Sequence, residues 1–199
     1  MPKPICIRTN EYIEAVKALE MLEHVLSLVK KDVYHWKWAI IVLHNAVQST
    51  MVCALKGPAG LGALEQSMAN KYYEALKRGE RIPRERFLDR FLGLYKRMKK
   101  ELKYAPSSQV EKSIERMREL RNEFVHFTPK YSAIAVDSFP QMVCDCLEVI
   151  NFLAWDPTRI SWHGKGTREE AKTHFTAIIR MLEELDAACN ESRVSSCNR

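Results

Sequence analysis

Glycine and proline are scarce, 7 and 8 of 199 residues, too few turn-formers for a sandwich or barrel of many short strands. An all-β fold is excluded on this ground, and collagen-like or low-complexity classes are disfavoured. The opening MPKPICIRTN has no basic stretch leading into an apolar run, so no secretory signal is read there and a cytoplasmic location is expected. Six cysteines, at 6, 53, 144, 146, 189 and 197, include no C-x-x-C pair and are too sparse for a disulfide framework. They read as reduced thiols. No repeat of fixed period occurs.

The longest uncharged run is Trp38 to Leu55, at the lower length limit for a membrane span. His44, Asn45, Gln48, Ser49 and Thr50 lie in its middle, and so many polar groups would be costly in lipid. A helix buried at the centre of a bundle fits better, and no membrane association is expected.

The hydrophobic fraction of 46% and charged fraction of 28% are ordinary for a globular chain that buries one core. After a cap at Asn10, Tyr12, Val16, Leu19, Leu22, Leu26 and Val29 recur at spacings of three and four, which predicts a helix to about Lys31. Further helices are expected over about 33–55, 63–78, 86–103, 109–127 and 137–154. Gly57-Pro58, Gly79, Pro83, Ala105-Pro106 and Thr128-Pro129 punctuate them. Residues 131–136 are candidates for extended chain. Thr167 followed by Glu170 reads as a capping box opening the last helix, to about Asn190, with a frayed tail from about 192. The expectation is a single all-α domain, a bundle of about six to seven helices.

Charge is concentrated. Between Lys77 and Lys103 stand eleven basic and four acidic residues, a local net of +7 against +6 for the whole chain. Phe87, Phe91, Tyr95 and Tyr104 are interleaved, and a basic segment with aromatics is the footprint of a phosphate-backbone binder. Arg84, Arg86, Arg90, Lys96, Arg97, Lys99 and Lys100 are the candidate RNA contacts. The alternative is a solvated helix face whose aromatics point into the core.

The stretch RMRELRNEFVHF, 116–127, carries the most chemistry. On a helical wheel of about 100° per residue, Val110, Ile114, Leu120, Phe124 and Val125 cluster around Met117, and Arg121 falls inside that apolar arc. A guanidinium there must snorkel, pair with a carboxylate or line a cleft. His126 lies on the opposite side, where it would suit the helix C-terminus, with Asn122 one turn earlier and able to hold its imidazole. His44 and Gln48, at i, i+4, are candidates to line a cleft opposite Arg121, or else to make a satisfied core hydrogen bond.

The string Arg121-Asn122-Glu123-Phe124-Val125-His126, ending a long helix in an all-α chain, resembles the R-N-x-x-x-H signature of the HEPN superfamily. The polar-studded WKWAIIVLHNAVQSTMVCAL stretch also resembles plasmid- and defence-associated members, and the likeness spans about residues 10–190. The resemblance implies a helical bundle that forms a homodimer with a composite active site. It also implies metal-independent RNA cleavage in a toxin-antitoxin or phage-defence system, with Arg121 and His126 catalytic, Asn122 supporting, and neither metal nor cofactor. Some members carry a tyrosine two residues after the histidine that an antitoxin modifies; Thr128 stands there, which puts that control in doubt. A catalytically silent module that binds nucleotide or RNA, or scaffolds a partner, is the alternative. A DNA-binding regulator lacks a recognisable helix-turn-helix.

Gly164-Lys165-Gly166-Thr167 lacks the upstream glycine and strand of a phosphate loop. Cys144 and Cys146 point to different faces of a helix without a nearby histidine. Trp162 and His163 could stack on a base or simply punctuate a loop.

Overall fold

In a computed structural model of the chain, residues 4–126, 129, 131, 133–164 and 166–197 are described, with side chains through 186. The described residues form seven helices: α1 (Glu11–Leu26), α2 (His35–Leu55), α3 (Gln66–Arg78), α4 (Phe91–Glu101), α5 (Ser108–Val125), α6 (Phe139–Ala154) and α7 (Thr167–Cys197). The all-α bundle follows from the sequence pattern.

The Asn10 side chain accepts hydrogen bonds from the Tyr12 and Ile13 amides, both 3.0 Å, and so satisfies two of the orphan donors that every helix start leaves. All six expected apolar positions from Tyr12 to Val29 are buried. Fully burying one such aliphatic side chain is worth about 1.5–3 kcal/mol. A short connection returns the chain into α2, which packs on α1, α4, α5 and α6 and is the centre of the bundle; α7 closes it against α1 and α6.

Among the described residues, α2 is the one helix long and apolar enough to cross a membrane, yet 61% of its most apolar window is buried inside the protein. Its polar groups are accommodated locally. Thr50 Oγ1 donates to the Ala46 carbonyl at 2.8 Å, and Ser49 Oγ to that of Asn45 at 2.8 Å.

Several expectations are corrected. The helix expected from Arg86 begins at Phe91, because Leu88 pairs with Leu64 in an isolated antiparallel bridge. Glu65 N–H donates to the Phe87 carbonyl and Asp89 N–H to that of Ala63, each at 3.0 Å, which holds 87–89 extended. The Asp89 carboxylate then lies over the first turn of α4, accepting from the Arg90 amide at 2.8 Å, where a Cβ on Gly93 would collide with it. Gly79 ends α3 in the left-handed conformation at φ 65°, as its position suggested.

The Thr167–Glu170 capping box does not form. Thr167 is the first helical residue, its hydroxyl donates to the carbonyls of His163 and Gly164, and the Glu170 carboxylate instead takes the Lys17 ammonium. Helix α7 continues past Asn190 to Cys197. Ser107 caps α5 through the Val110 amide at 3.2 Å, whereas Ser138 precedes α6 without a side-chain capping bond. Described residues of 131–136 join no strand. Phe127 and Thr128, the latter at the position of the modifiable tyrosine, lie outside the described residues, as do Lys165 and the side chains of Cys189 and Cys197, while Pro129 of the expected stop is described and exposed.

Candidate active site

Three helices meet around His44. Its imidazole, 7% exposed on α2, stacks on Phe91 at the start of α4 with ring centroids 4.3 Å apart. Beside it opens a cleft of about 440 Å³ between α1 and α2, whose polar lining is Glu14, Lys17, His44, Asn45, Gln48 and, from α5, Arg121. The structure thus brings Arg121 together with His44 and Gln48, for which a core hydrogen bond is the competing expectation. Arg121 is half-buried, its Nη1 donates to Asn122 Oδ1 at 3.1 Å, and it makes no ion pair with a described residue. Asn122 therefore holds the arginine rather than the histidine: the helical spacing brings the His126 amide onto the Asn122 backbone carbonyl at 2.9 Å, while the Asn122 amide group turns to the guanidinium.

His126 caps the C-terminus of α5 and is exposed; it does not line the cleft that contains Arg121. Val125, placed in the apolar arc by the wheel, is 45% exposed at the last residue of α5.

Burial holds the His44 pKa down to about 4, and the nearby cations of Arg121 and Arg118 push the same way. The unfolded chain would protonate this histidine near pH 6.5 while the folded chain resists until about pH 4. Stability from this group is full above pH 6.5 and is lost as the pH falls toward 4, a loss on the order of 3 kcal/mol. Urea titrations over that range should show His44→Phe losing less stability on acidification than the wild type. Parallel curves would refute the assignment. Arg118 Nε is buried with no hydrogen-bond partner among the described residues, so α5 presents two guanidiniums, one turn apart, toward His44.

The basic segment is divided. Arg97 pairs with Asp89 and Glu101, both at 3.6 Å, and donates to the Leu64 carbonyl. Lys99 pairs with Glu111 at 2.6 Å over the Tyr95 ring, and Arg86 donates to Tyr72 Oη at 3.1 Å. These three brace the fold. Arg84, Arg90, Lys96 and Lys100 are exposed and form no ion pair with a described residue. Phe91 and Tyr95 are core, Tyr104 packs on Phe152, and Phe87 alone of the four aromatics is exposed, at 53%.

Other features resolve structurally. Trp162 donates its indole N–H to the Ala154 carbonyl at 2.7 Å and, with Arg159 and Arg168, satisfies the C-terminal end of α6. Burial pushes the Cys146 thiol well above its usual range, and Cys144 upward.

Two constellations escaped the sequence reading. Asp145 of α6, 3% exposed, accepts from Ser113 Oγ, Gln109 and Gln141; its signal was a lone acid in an otherwise apolar helix face. Glu20, Glu170 and His174 bring their ligand atoms within 4.8 Å of one another at the α1–α7 contact, a geometry that could hold a cation. The Lys17 ammonium already bridges the two carboxylates at 2.7 and 3.0 Å, and Glu23 holds His174 Nδ1 at 2.6 Å. The i, i+4 pair Glu170 and His174 was its sequence signal.

The chain matches no family model, no curated protein and no solved structure.

Proposed function

We propose that this chain is a metal-independent endoribonuclease of the HEPN type, acting in a toxin-antitoxin or phage-defence setting in the cytoplasm. The observation that carries the reading is Arg121: a half-buried guanidinium at a cleft, steered by its neighbour Asn122 and paired with no described carboxylate. A permanent charge kept partly desolvated without an ion pair to a described residue is suited to an anion, and its planar fork matches a phosphate. In this reading His126 takes the proton from the 2′-hydroxyl or returns one to the leaving 5′-oxygen, and Arg121 stabilises the charge that builds on phosphorus-bound oxygens. The exposed cations Arg84, Arg90, Lys96 and Lys100 steer RNA toward the cleft.

Because His126 stands at the end of α5 and not in the cleft with Arg121, the reading includes a homodimer in which two copies share each site across a two-fold axis. The same separation favours the second reading, a silent module that binds RNA or nucleotide at Arg121 without cutting it. The two are told apart by incubating purified protein with mixed RNA in EDTA. Cleavage should persist and leave 2′,3′-cyclic phosphate ends. Loss of cutting in chelator, restored by magnesium, would replace the mechanism with a metal-dependent one and direct attention to Glu20, Glu170 and His174. No cutting under either condition leaves the binding module.

A further inference from the structure

We infer that Phe87 is a stacking platform that makes the protein selective for unpaired RNA. The inference rests on the reading above for its choice of RNA as ligand, and uses residues outside the cleft. Phe87 is the exposed member of the basic segment's aromatics, and its backbone is fixed. The Phe87 carbonyl accepts from Glu65, the next residue bridges Leu64, and Asp89 donates back to Ala63, so the ring is presented from a pinned, strand-like stretch. Successive side chains of such a stretch face opposite ways. Arg86 and Leu88 both line a groove beside Pro58 and Gly60, and the alternation places Phe87 on the other face, where it is the more exposed of the two apolar side chains at 53% against 38% for Leu88.

An aromatic ring held open to water at this cost in apolar exposure is what base stacking requires, since every nucleobase offers a π-face. Charge supplies the rest. Arg84 and Arg90, both exposed and unpaired with described residues, flank Phe87 at three residues on either side and can meet the backbone phosphates of a strand whose base lies on the ring. The platform is also near the cleft. Phe91, four residues on, touches His44, and four residues of chain span at most about 14 Å. In this mode of binding one strand engages Arg121 and Phe87 together. A duplex keeps its bases stacked on one another and offers no free face to the ring.

The test is fluorescence anisotropy with a short 2′-O-methyl oligonucleotide, single-stranded and as a duplex, against wild type, Phe87→Ala and Phe87→Trp. The methylated strand cannot be cut by 2′-hydroxyl attack, so binding is read apart from cleavage. Phe87→Ala should weaken single-strand binding about 5- to 100-fold, leave duplex binding and the salt dependence unchanged, and keep the wild-type melting temperature, whereas Phe87→Trp should bind as wild type. Arg84→Ala and Arg90→Ala should instead flatten the salt dependence for both forms. Unchanged affinity of Phe87→Ala, an equal loss for duplex, or no RNA binding by the wild type would overturn the platform. Binding that depends on Phe87 without cleavage of ordinary RNA sinks the ribonuclease reading alone; cleavage indifferent to Phe87 sinks the platform alone.

Discussion

Arg121→Ala should lower RNA cleavage by about 10²–10³-fold, the usual consequence of deleting one donor aimed at developing oxyanion charge. His126→Ala should cost about 10²–10⁴-fold, as removal of a general acid or base does. Both side chains lie at the protein surface or at the rim of the cleft, so melting temperatures should stay close to wild type. Arg121→Lys should fail to restore activity, because an ammonium cannot reproduce the planar fork that Asn122 orients. In cells, expression of the wild type should slow growth and both alanine variants should be tolerated; equal toxicity of all three would remove the catalytic assignment. Mixing the two inactive variants is the sharper experiment. If each site draws on two copies, subunit exchange leaves some sites with an intact Arg121 and an intact His126, and part of the activity returns. A fully active monomer by light scattering at micromolar concentration would exclude the shared site.

Asp145→Ala should be the most destabilising polar substitution in the bundle. The carboxylate is buried between α5 and α6 and takes donors from Ser113 at 2.5 Å, Gln141 at 2.8 Å and Gln109 at 3.0 Å. Deleting it strands the Ser113 hydroxyl in the interior and removes bonds to a charged acceptor, each of which contributes about 1.5–3 kcal/mol. A net loss of about 3 kcal/mol is expected, or a fall in melting temperature of about 6–12 °C for a chain of this size. Asp145→Asn keeps one acceptor and places an amide donor against other donors, so it should fall between. A loss below about 0.5 kcal/mol in urea unfolding, with unchanged slope, would show that the network contributes nothing to stability.

What the sequence made legible was whatever depends on near neighbours. Apolar spacing located the helices, Asn10 and Gly79 marked ends, and polar groups on apolar faces singled out Arg121, His44 and Gln48 without deciding between a shared cleft and a core hydrogen bond. What depended on distant pairing was hidden. The start of α4 is set by Leu64 meeting Leu88, and the Asp145 network joins α6 to a serine 32 positions earlier. Local rules also failed where a rival partner won: Glu170 prefers Lys17 to its own helix start, and Asn122 prefers Arg121 to His126. The basic segment looked uniform in sequence. Only the fold separates Arg97, Lys99 and Arg86, which brace it, from the cations left to solvent.

Among the described residues no other helix packs directly on α3, and the three side chains that anchor this region, Leu61, Leu64 and Met68, form a cluster apart from the main core. A unit with so little burial opens at a free energy well below that of global unfolding. Leu64 belongs to that cluster and also bridges Leu88, so opening of this unit loosens one side of the stretch under Phe87, while Asp89 N–H stays on Ala63 of the main core. By linkage, whatever binds the closed form of this unit and not the open one closes it further. RNA held on Phe87 would thus slow amide exchange across α3, a helix it need not touch, while the amides of α2 exchange on the timescale of the whole bundle.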